Sequence, residues 1–241
     1  MTDGMCMFYK SDSQNVGKSV VARPAPVVFH LKDPGSAITH FAGLVLAILA
    51  TPPLLIHGGQ QGWTLVQLTG LSIFLLSMIG LYAASTAYHA FHLSGTRDKV
   101  LKKLDHSMIF VLIAGTYTPI CLTTLAGRGG EGLLLKVWCV ALAGIALKLF
   151  WVEHPKWLSS LLYIGMGWLC LTEFPNILYW MPRSGFLCLL VGGLLYTFGG
   201  VLYALKLEKL NRLHPHFGSH EIFHLFVLAG SACHYCTMFL L

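Results

Sequence analysis

Charged residues are scarce in this sequence. Asp, Glu, Lys and Arg make up 11% of its 241 residues, against about a quarter in a typical soluble domain. Hydrophobic residues make up 55%, and the mean hydropathy is +0.67. One core cannot bury so much apolar surface in a chain of this size. The composition therefore excludes an ordinary soluble domain and indicates an integral membrane protein whose apolar surface lies in lipid.

Acidic residues are fewer than basic ones, which leaves a net charge of +6. In a soluble protein this excess would suggest nucleic-acid binding. Here Lys and Arg lie in short segments between apolar runs, where membrane proteins carry the charges that set their orientation. No basic run is interleaved with exposed aromatics, so we expect a lipid bilayer as the partner and no nucleic acid.

A signal peptide is also missing. Residues 1–35 lack the short apolar stretch and the small-residue cleavage site that a signal peptide requires. Pro24, Pro26 and Pro34 disfavour a long helix in this segment. We interpret residues 1–35 as a cytoplasmic tail and residues 36–241 as one membrane domain.

Cysteines are present in an odd number, seven, and most lie inside apolar runs. This placement disfavours a disulfide framework or a zinc ribbon. We expect buried free thiols that behave as small hydrophobic side chains.

Seven segments are apolar over a length close to the roughly 20 residues that a helix needs to cross a membrane. The fifth is the weakest, because Glu173 and Pro175 shorten it, and the second is long enough to tilt or protrude. The predicted fold is an all-α bundle of seven transmembrane helices. The segments are residues 36–57, 64–91, 104–125, 133–151, 157–174, 186–206 and 221–241.

The basic residues between these segments predict the orientation. With the N-terminus inside, the cytoplasmic segments carry 13 Lys and Arg and the outer segments only three. Such an excess is typical of cytoplasmic loops. The count predicts a cytoplasmic N-terminus and an external C-terminus, and we expect the protein in the cell (plasma) membrane.

Four ionisable residues lie at the predicted cytoplasmic ends of their spans: His89, Asp105, His220 and His224. Ionisable groups inside spans are costly and mark functional sites. His220 and His224 are four residues apart, so they lie on one helix face and can reach a single ion. His89 can supply a third nitrogen, as in catalytic zinc sites with three protein ligands.

Besides the three histidines, Asp105 and Ser85 suit this site. Asp105 can hold or deprotonate a water on the metal, and Ser85, one turn before His89, can hydrogen-bond Asp105 or steady an oxyanion. The alternative for such histidines is plain hydration at the membrane interface. His234, in mid-span, either faces a polar cavity or pairs with a threonine or a backbone carbonyl. The other histidines at loops and edges are interpreted as solvated: His30, His57, His92, His106, His154, His214 and His216.

The sequence resembles the hemolysin III family, within the progestin and adipoQ receptor superfamily. The combination of SxxxH, an aspartate and HxxxH at these positions is specific, and AGTYTP resembles the hemolysin III branch in particular. Family members often carry Asn where this sequence has Ser36. The matching segments are SAITH (36–40), STAYH (85–89), LDHSMIF (104–110), AGTYTP (114–119), YIGMGW (163–168) and HEIFH (220–224).

The resemblance implies seven spans with the N-terminus inside. It implies Zn²⁺ bound by His89, His220 and His224, with Asp105 on the metal-bound water and Ser85 beside it. Ser36, His40 and Tyr117 fall within matching segments and are interpreted as residues around this site. The alternative for His40, near the start of the first span, is a place at the membrane interface. The superfamily is thought to contain membrane hydrolases of lipid amides, alongside members described as receptors.

Three functions remain open. The first is a zinc-dependent hydrolase of a lipid-like amide or ester that enters from the bilayer. The second is a receptor, sensor or membrane-homeostasis protein in which zinc pins helices together and contributes to folding. The third, a pore-forming cytolysin or a transporter, is disfavoured because no inverted repeat or pair of broken helices is evident.

Overall fold

The computed structural model describes residues 30–153, 155–205 and 218–241. Within these residues it contains seven helical spans that are long and apolar enough to cross a membrane. The described residues contain no strand, so the predicted all-α class and the seven spans are confirmed. The predicted cytoplasmic tail lies almost wholly outside the described residues. The helices are α1 (Pro34–Gln60), α2 (Leu65–Ala90), α3 (Thr96–Leu122), α4 (Gly130–Phe150), α5 (Lys156–Gly167), α6 (Phe174–Trp180), α7 (Arg183–Leu205) and α8 (Ser219–Phe239).

The fifth span is longer than predicted and is broken. A 3₁₀ helix (Trp168–Glu173) joins α5 to α6, and together they form a span of Lys156–Trp180. Pro175 does not end the span, because it lies in the first turn of α6, where a missing N–H costs nothing. The prediction that Glu173 and Pro175 cut this span short was therefore wrong.

Helix α3 begins eight residues before the predicted span. Its first turns carry Arg97, Lys99, Lys102 and Lys103. Apolar composition finds only the part of a helix that lies in lipid, so these polar turns were assigned to a loop. They extend α3 past the apolar region and carry Asp105 close to the ends of the neighbouring helices.

The two most extensive helix–helix contacts form two pairs, and α1 lies against one helix of each pair. Helix α2 packs along α3, and α7 packs along α8, while α1 contacts both α2 and α8. Glycines allow close approach, as expected in membranes. A Cβ on Gly199 would lie 2.8 Å from the Cβ of Phe226, and one on Gly192 would lie 2.8 Å from the ring of His234. Gly193, by contrast, has no neighbour within 4 Å of such a Cβ.

The six cysteines among the described residues are free thiols, as predicted, but most of them are not buried. Among the described residues only Cys121 is buried, whereas Cys139 and Cys236 are exposed on helix surfaces. In a membrane an apolar side chain is equally well accommodated facing lipid, so apolar surroundings in sequence do not imply a place in the core. Cys233 and Cys236 lie one turn apart on α8 and are not bonded to each other.

Candidate metal centre

His89 lies in the last turn of α2, where a short segment before α1 docks against it. The backbone N–H of Asp33 donates to the carbonyl of His89 (2.9 Å), and that of Lys32 donates to the carbonyl of Ala90 (3.3 Å). Asp33 occupies the N-cap position of α1 but makes no capping hydrogen bond. Its carboxylate Oδ2 instead lies 2.8 Å from Nδ1 of His89. The carboxylate therefore accepts the Nδ1 proton and leaves Nε2 of His89 with a free lone pair.

Lys32 anchors this segment from the other side. Its ammonium donates to Oδ1 of Asp98 at 2.6 Å and lies 3.8 Å from the centre of the Tyr88 ring. Burial alone would lower the pKa of Lys32, but the hydrogen bond to Asp98 and the nearby acidic groups outweigh it and raise that pKa. Lys32 therefore stays charged, and the segment that presents Asp33 to His89 is held at two points.

The first turn of α8 supplies the other two histidines. Glu221 accepts a hydrogen bond from the backbone N–H of Gly218 (2.7 Å), which satisfies one of the free donors at the helix start. Its second oxygen accepts from the hydroxyl of Ser36 on α1 (2.7 Å). The turn that carries His220 is thus fixed to α1, and His224 follows one turn later.

The three histidines converge on one point. Each of His89, His220 and His224 places a nitrogen within 4.8 Å of the other two. The Nε2 atoms of His89 and His220 are 3.2 Å apart. Tetrahedral zinc, bound at about 2.0–2.1 Å, would hold two nitrogens about 3.3 Å apart. The spacing, the lone pair on His89 and the all-nitrogen donor set therefore fit a metal ion such as zinc.

Two buried ring nitrogens of this cluster lack a partner in the described part of the chain. Nδ1 of His220 and Nδ1 of His224 are buried and make no hydrogen bond within the described residues. An ion held by Nε2 of His220 would leave the proton of that ring on Nδ1, which would still have no partner. The donor set and its spacing alone therefore support the metal.

Asp105 and Ser85 lie beside the histidines. Both are buried, at 7% and 1% exposure. Asp105 is within electrostatic range of His89 but is not among the residues that offer a ligand atom to the convergent group. Ser85 faces Asp105, although its hydroxyl makes no hydrogen bond of good geometry within the described residues. This arrangement leaves the carboxylate next to the convergent nitrogens rather than among them.

His40 and Ser36, expected around the ligands, do lie there. The ring of His40 stacks on that of His224 with centroids 3.6 Å apart and an angle of 9° between the planes. Both ring nitrogens of His40 are buried without a partner in the described residues. Ser36 is fully buried and acts through its bond to Glu221.

Tyr117 lies away from this cluster, which corrects the expectation that it surrounds the metal ligands. It is twelve residues beyond Asp105 on α3, a rise of about 18 Å. Its hydroxyl donates to the carbonyl of Gly167 (2.6 Å) and accepts from the N–H of Cys170 (2.9 Å). Tyr117 therefore satisfies the backbone at the break in the fifth span, where α5 ends.

Sequence reasoning missed three charged residues near the site. Asp33 and Glu221 lie at helix ends, where a carboxylate gives no signal of its role. Lys148 was one of the 13 basic residues counted on the cytoplasmic side, but it lies in the last turn of α4 with only 1% of its surface exposed. Its ammonium donates to the hydroxyl of Ser159 (2.7 Å) and lies within electrostatic range of Asp105.

A cavity of about 160 Å³ lies inside the bundle, next to this cluster. None of the three convergent histidines lines it. His40 lines it at the metal end, and Phe174, Ile177 and Phe186 line it near the opposite end. Its wall comes mainly from α3, α5, α7 and α8 and is largely apolar. A space of this shape suits a hydrocarbon chain whose polar end lies near the histidines.

Comparison with known proteins finds similarity to haemolysin-III proteins over most of the chain. A sequence model described as "Haemolysin-III related" matches residues 30–235. The chain is 39% identical to the "Hemolysin-3 homolog" of Bacillus subtilis (strain 168), over 88% of this chain and 96% of that protein. It is 38% identical to "Hemolysin-3" of Bacillus cereus, over 88% and 92%. It is also 26% identical to the human "Monocyte to macrophage differentiation factor", over 68% of this chain and 66% of that protein.

Proposed function

The chain belongs to the haemolysin-III related family of membrane proteins, and on that premise we propose that it is a zinc-dependent membrane hydrolase. Its substrate is an amide or ester with a lipid-like chain. One observation carries the proposal: three convergent imidazoles with a buried carboxylate beside them lie next to an apolar cavity, and His40, stacked on His224, forms part of the cavity wall. Groups suited to hydrolysis and a space suited to a hydrocarbon chain are adjacent.

The residues take distinct roles in this proposal. His89, His220 and His224 hold the metal. Zinc, when bound, makes a coordinated water acidic enough to lose its proton near neutral pH. Asp105 lies beside the three histidines, where its carboxylate would orient a water and accept its proton on a carboxylate oxygen. Ser85 donates a hydrogen bond to the substrate oxygen on which negative charge develops.

The membrane places the two reactants at different ends of the site. We assign the metal cluster to the cytoplasmic face of the plasma membrane, on the strength of the basic residues in the predicted inner segments. Water reaches the cluster from that face. The substrate chain lies in the cavity, whose apolar wall binds it by burial of hydrocarbon surface.

A second candidate function is a sensor with a structural metal, and one feature favours it. Helices α2 and α8 make little direct contact with each other, and α1 packs against both. A metal shared by His89 on α2 and the two histidines on α8 would join them directly and contribute to folding. Under this alternative, removal of the metal lowers thermal stability and no chemical step is lost.

Turnover on a lipid panel separates the two functions. The full chain is purified in mild detergent with zinc, and a panel of lipid amides and esters is screened for released fatty acid by mass spectrometry. We expect cleavage of at least one class, abolished by chelation and restored by zinc. Protein that carries about one zinc per chain and releases no fatty acid from any member of the panel would favour the structural metal.

Asp33→Asn tests how His89 is held. The amide keeps the size of the carboxylate but accepts the Nδ1 proton less strongly, so His89 becomes a poorer ligand. Loss of such an outer partner typically weakens metal binding about 10–100-fold. The dissociation constant is measured by competition with a fluorescent chelator. Glu153→Gln, which breaks only the exposed ion pair with Lys102, is the matched control. Equal zinc affinity in wild type and Asp33→Asn would contradict the assigned role.

A further inference from the structure

His234 is a polar residue on the deeper part of the cavity wall. It lies on α8, ten residues beyond His224, which places it about 15 Å farther along the helix. Its exposed fraction is 4%, and Nδ1 is buried with no hydrogen-bond partner in the described residues. The sequence left open whether this residue pairs with a threonine or a carbonyl or faces a polar cavity. The structure shows it lining the cavity.

The other polar groups along the wall mostly have partners. The hydroxyl of Thr116 donates to a backbone carbonyl, and Nε1 of Trp168 donates to the hydroxyl of Thr197. Only three wall residues carry buried polar atoms without a partner in the described part of the chain, and two of them, His40 and Ser160, lie toward the metal end. His234 is therefore an isolated hydrogen-bonding group deep in an apolar space.

The surroundings of His234 are built to hold a ring there. A Cβ on Gly192 would come within 2.8 Å of the His234 ring, so a glycine on α7 makes room for it. The Tyr196 ring lies 5.1 Å from that of His234, centroid to centroid, and Gly230 makes room for Tyr196 in the same way. Tyr196 also lines the cavity, and its hydroxyl is 2.8 Å from that of Ser231.

We propose that His234 and Tyr196 form a second binding site, deep in the cavity, for a hydroxyl group carried partway along a lipid chain. A neutral imidazole and a phenol can each donate or accept a hydrogen bond, and a hydroxyl needs both a donor and an acceptor. The apolar wall disfavours a charged group at this depth. The inference rests on the proposed function, since the distance from the metal cluster assumes that the polar end of the substrate lies at the three histidines.

This site defines a substrate class within the proposed function: lipids whose acyl chain bears a hydroxyl far from the carbonyl. An unsubstituted chain still fits the cavity but leaves His234 without a partner. The preference is therefore for the hydroxylated chain, by about the fivefold that one neutral hydrogen bond contributes to affinity.

The test is a cycle of two ligands and two proteins, read by binding and not by turnover. Ricinoleic acid and oleic acid have the same chain and double bond and differ by one mid-chain hydroxyl. Their dissociation constants are measured calorimetrically on the full chain in one detergent, for wild type and for His234→Phe. The two acids partition differently into micelles, but this difference is the same for both proteins. It therefore cancels when the ratio of the two dissociation constants is compared between wild type and variant.

We expect the ratio of the oleic acid to the ricinoleic acid dissociation constant to be about fivefold larger for wild type than for His234→Phe. The variant should still bind oleic acid. His234→Gln, which keeps a neutral hydrogen-bonding group, retains part of the preference and covers the case in which the Phe variant does not fold. Tyr196→Phe reduces the preference. Tyr235→Phe is the matched control, because that hydroxyl donates to the carbonyl of Ala50 and lies outside the cavity wall.

Equal ratios in wild type and His234→Phe would overturn the inference and assign a bound water as the partner of His234. Failure of both acids to bind wild type would overturn it as well. Neither result bears on zinc content or lipid turnover, which test the proposed function separately. A chain that binds zinc and cleaves lipids without this preference would retain the function and lose the second site.

Discussion

We expect His220→Ala to lower the zinc content of the purified chain from about one ion to almost none, because the proposed site has only three protein ligands. Nε2 of His220 lies 3.2 Å from Nε2 of His89, so its removal opens one side of the cluster. Elemental analysis of detergent-purified protein, grown with added zinc and handled without chelator, measures the change. The same variant should unfold at a lower temperature, since metal binding stabilises the folded state.

His92→Ala is the control for this result. His92 is exposed and lies three residues after His89. The substitution therefore removes an imidazole near His89 in the sequence but none of the three convergent nitrogens. Its zinc content and unfolding temperature should match those of wild type. If wild type itself carried no metal under these conditions, the zinc interpretation would fail, and with it the proposed hydrolase.

The histidine cluster was predictable because helix spacing and membrane depth both constrain it. His220 and His224 are one turn apart on any helix, and the apolar runs fix which end of α2 carries His89. Two independent regularities thus brought three nitrogens to one place before any contact was known. The nitrogens of the three residues do lie within 4.8 Å of one another, and their binding of a metal stays a prediction.

The residues that support the cluster were not predictable in the same way. Asp33 is 56 residues from His89, and Ser36 is 185 residues from Glu221. Hydropathy reports which segments lie in lipid, but it does not report how the helices turn toward one another. A carboxylate at a helix end therefore looks like a cap or a solvated charge until the partner helix is placed.

Tyr117 and Lys148 also show that the sequence does not report contacts between helices. A matching segment placed Tyr117 near the ligands, although α3 carries it to the break in the fifth span. Its place near the cytoplasmic end of the fourth segment made Lys148 look like an orientation charge, although its ammonium donates to the hydroxyl of Ser159. In both cases the depth of the residue along its own helix was predictable, while the function of the side chain depended on the neighbouring helix.

Asp105→Asn is the change that separates chemistry from metal binding. The variant keeps the size and hydrogen-bonding shape of the side chain but cannot accept a proton from water. General base catalysis typically contributes about 10²–10⁴-fold to a rate, and we expect turnover of the cleaved lipid class to fall by that amount. Zinc content should remain at the wild-type level, because Asp105 is not among the residues that offer a ligand atom to the convergent nitrogens.

Turnover and elemental analysis are measured on the same preparations, with Glu131→Gln as the control carboxylate at the other end of the bundle. Loss of zinc together with activity would make Asp105 a metal-binding residue instead of a base. Unchanged turnover would remove it from the reaction altogether. A fall in rate with zinc retained is the outcome that a structural metal does not produce, because a site that only joins α2 to α8 has no step for a carboxylate to assist. Buried beside His89 and within electrostatic range of Lys148, this one side chain therefore distinguishes the hydrolase from the sensor.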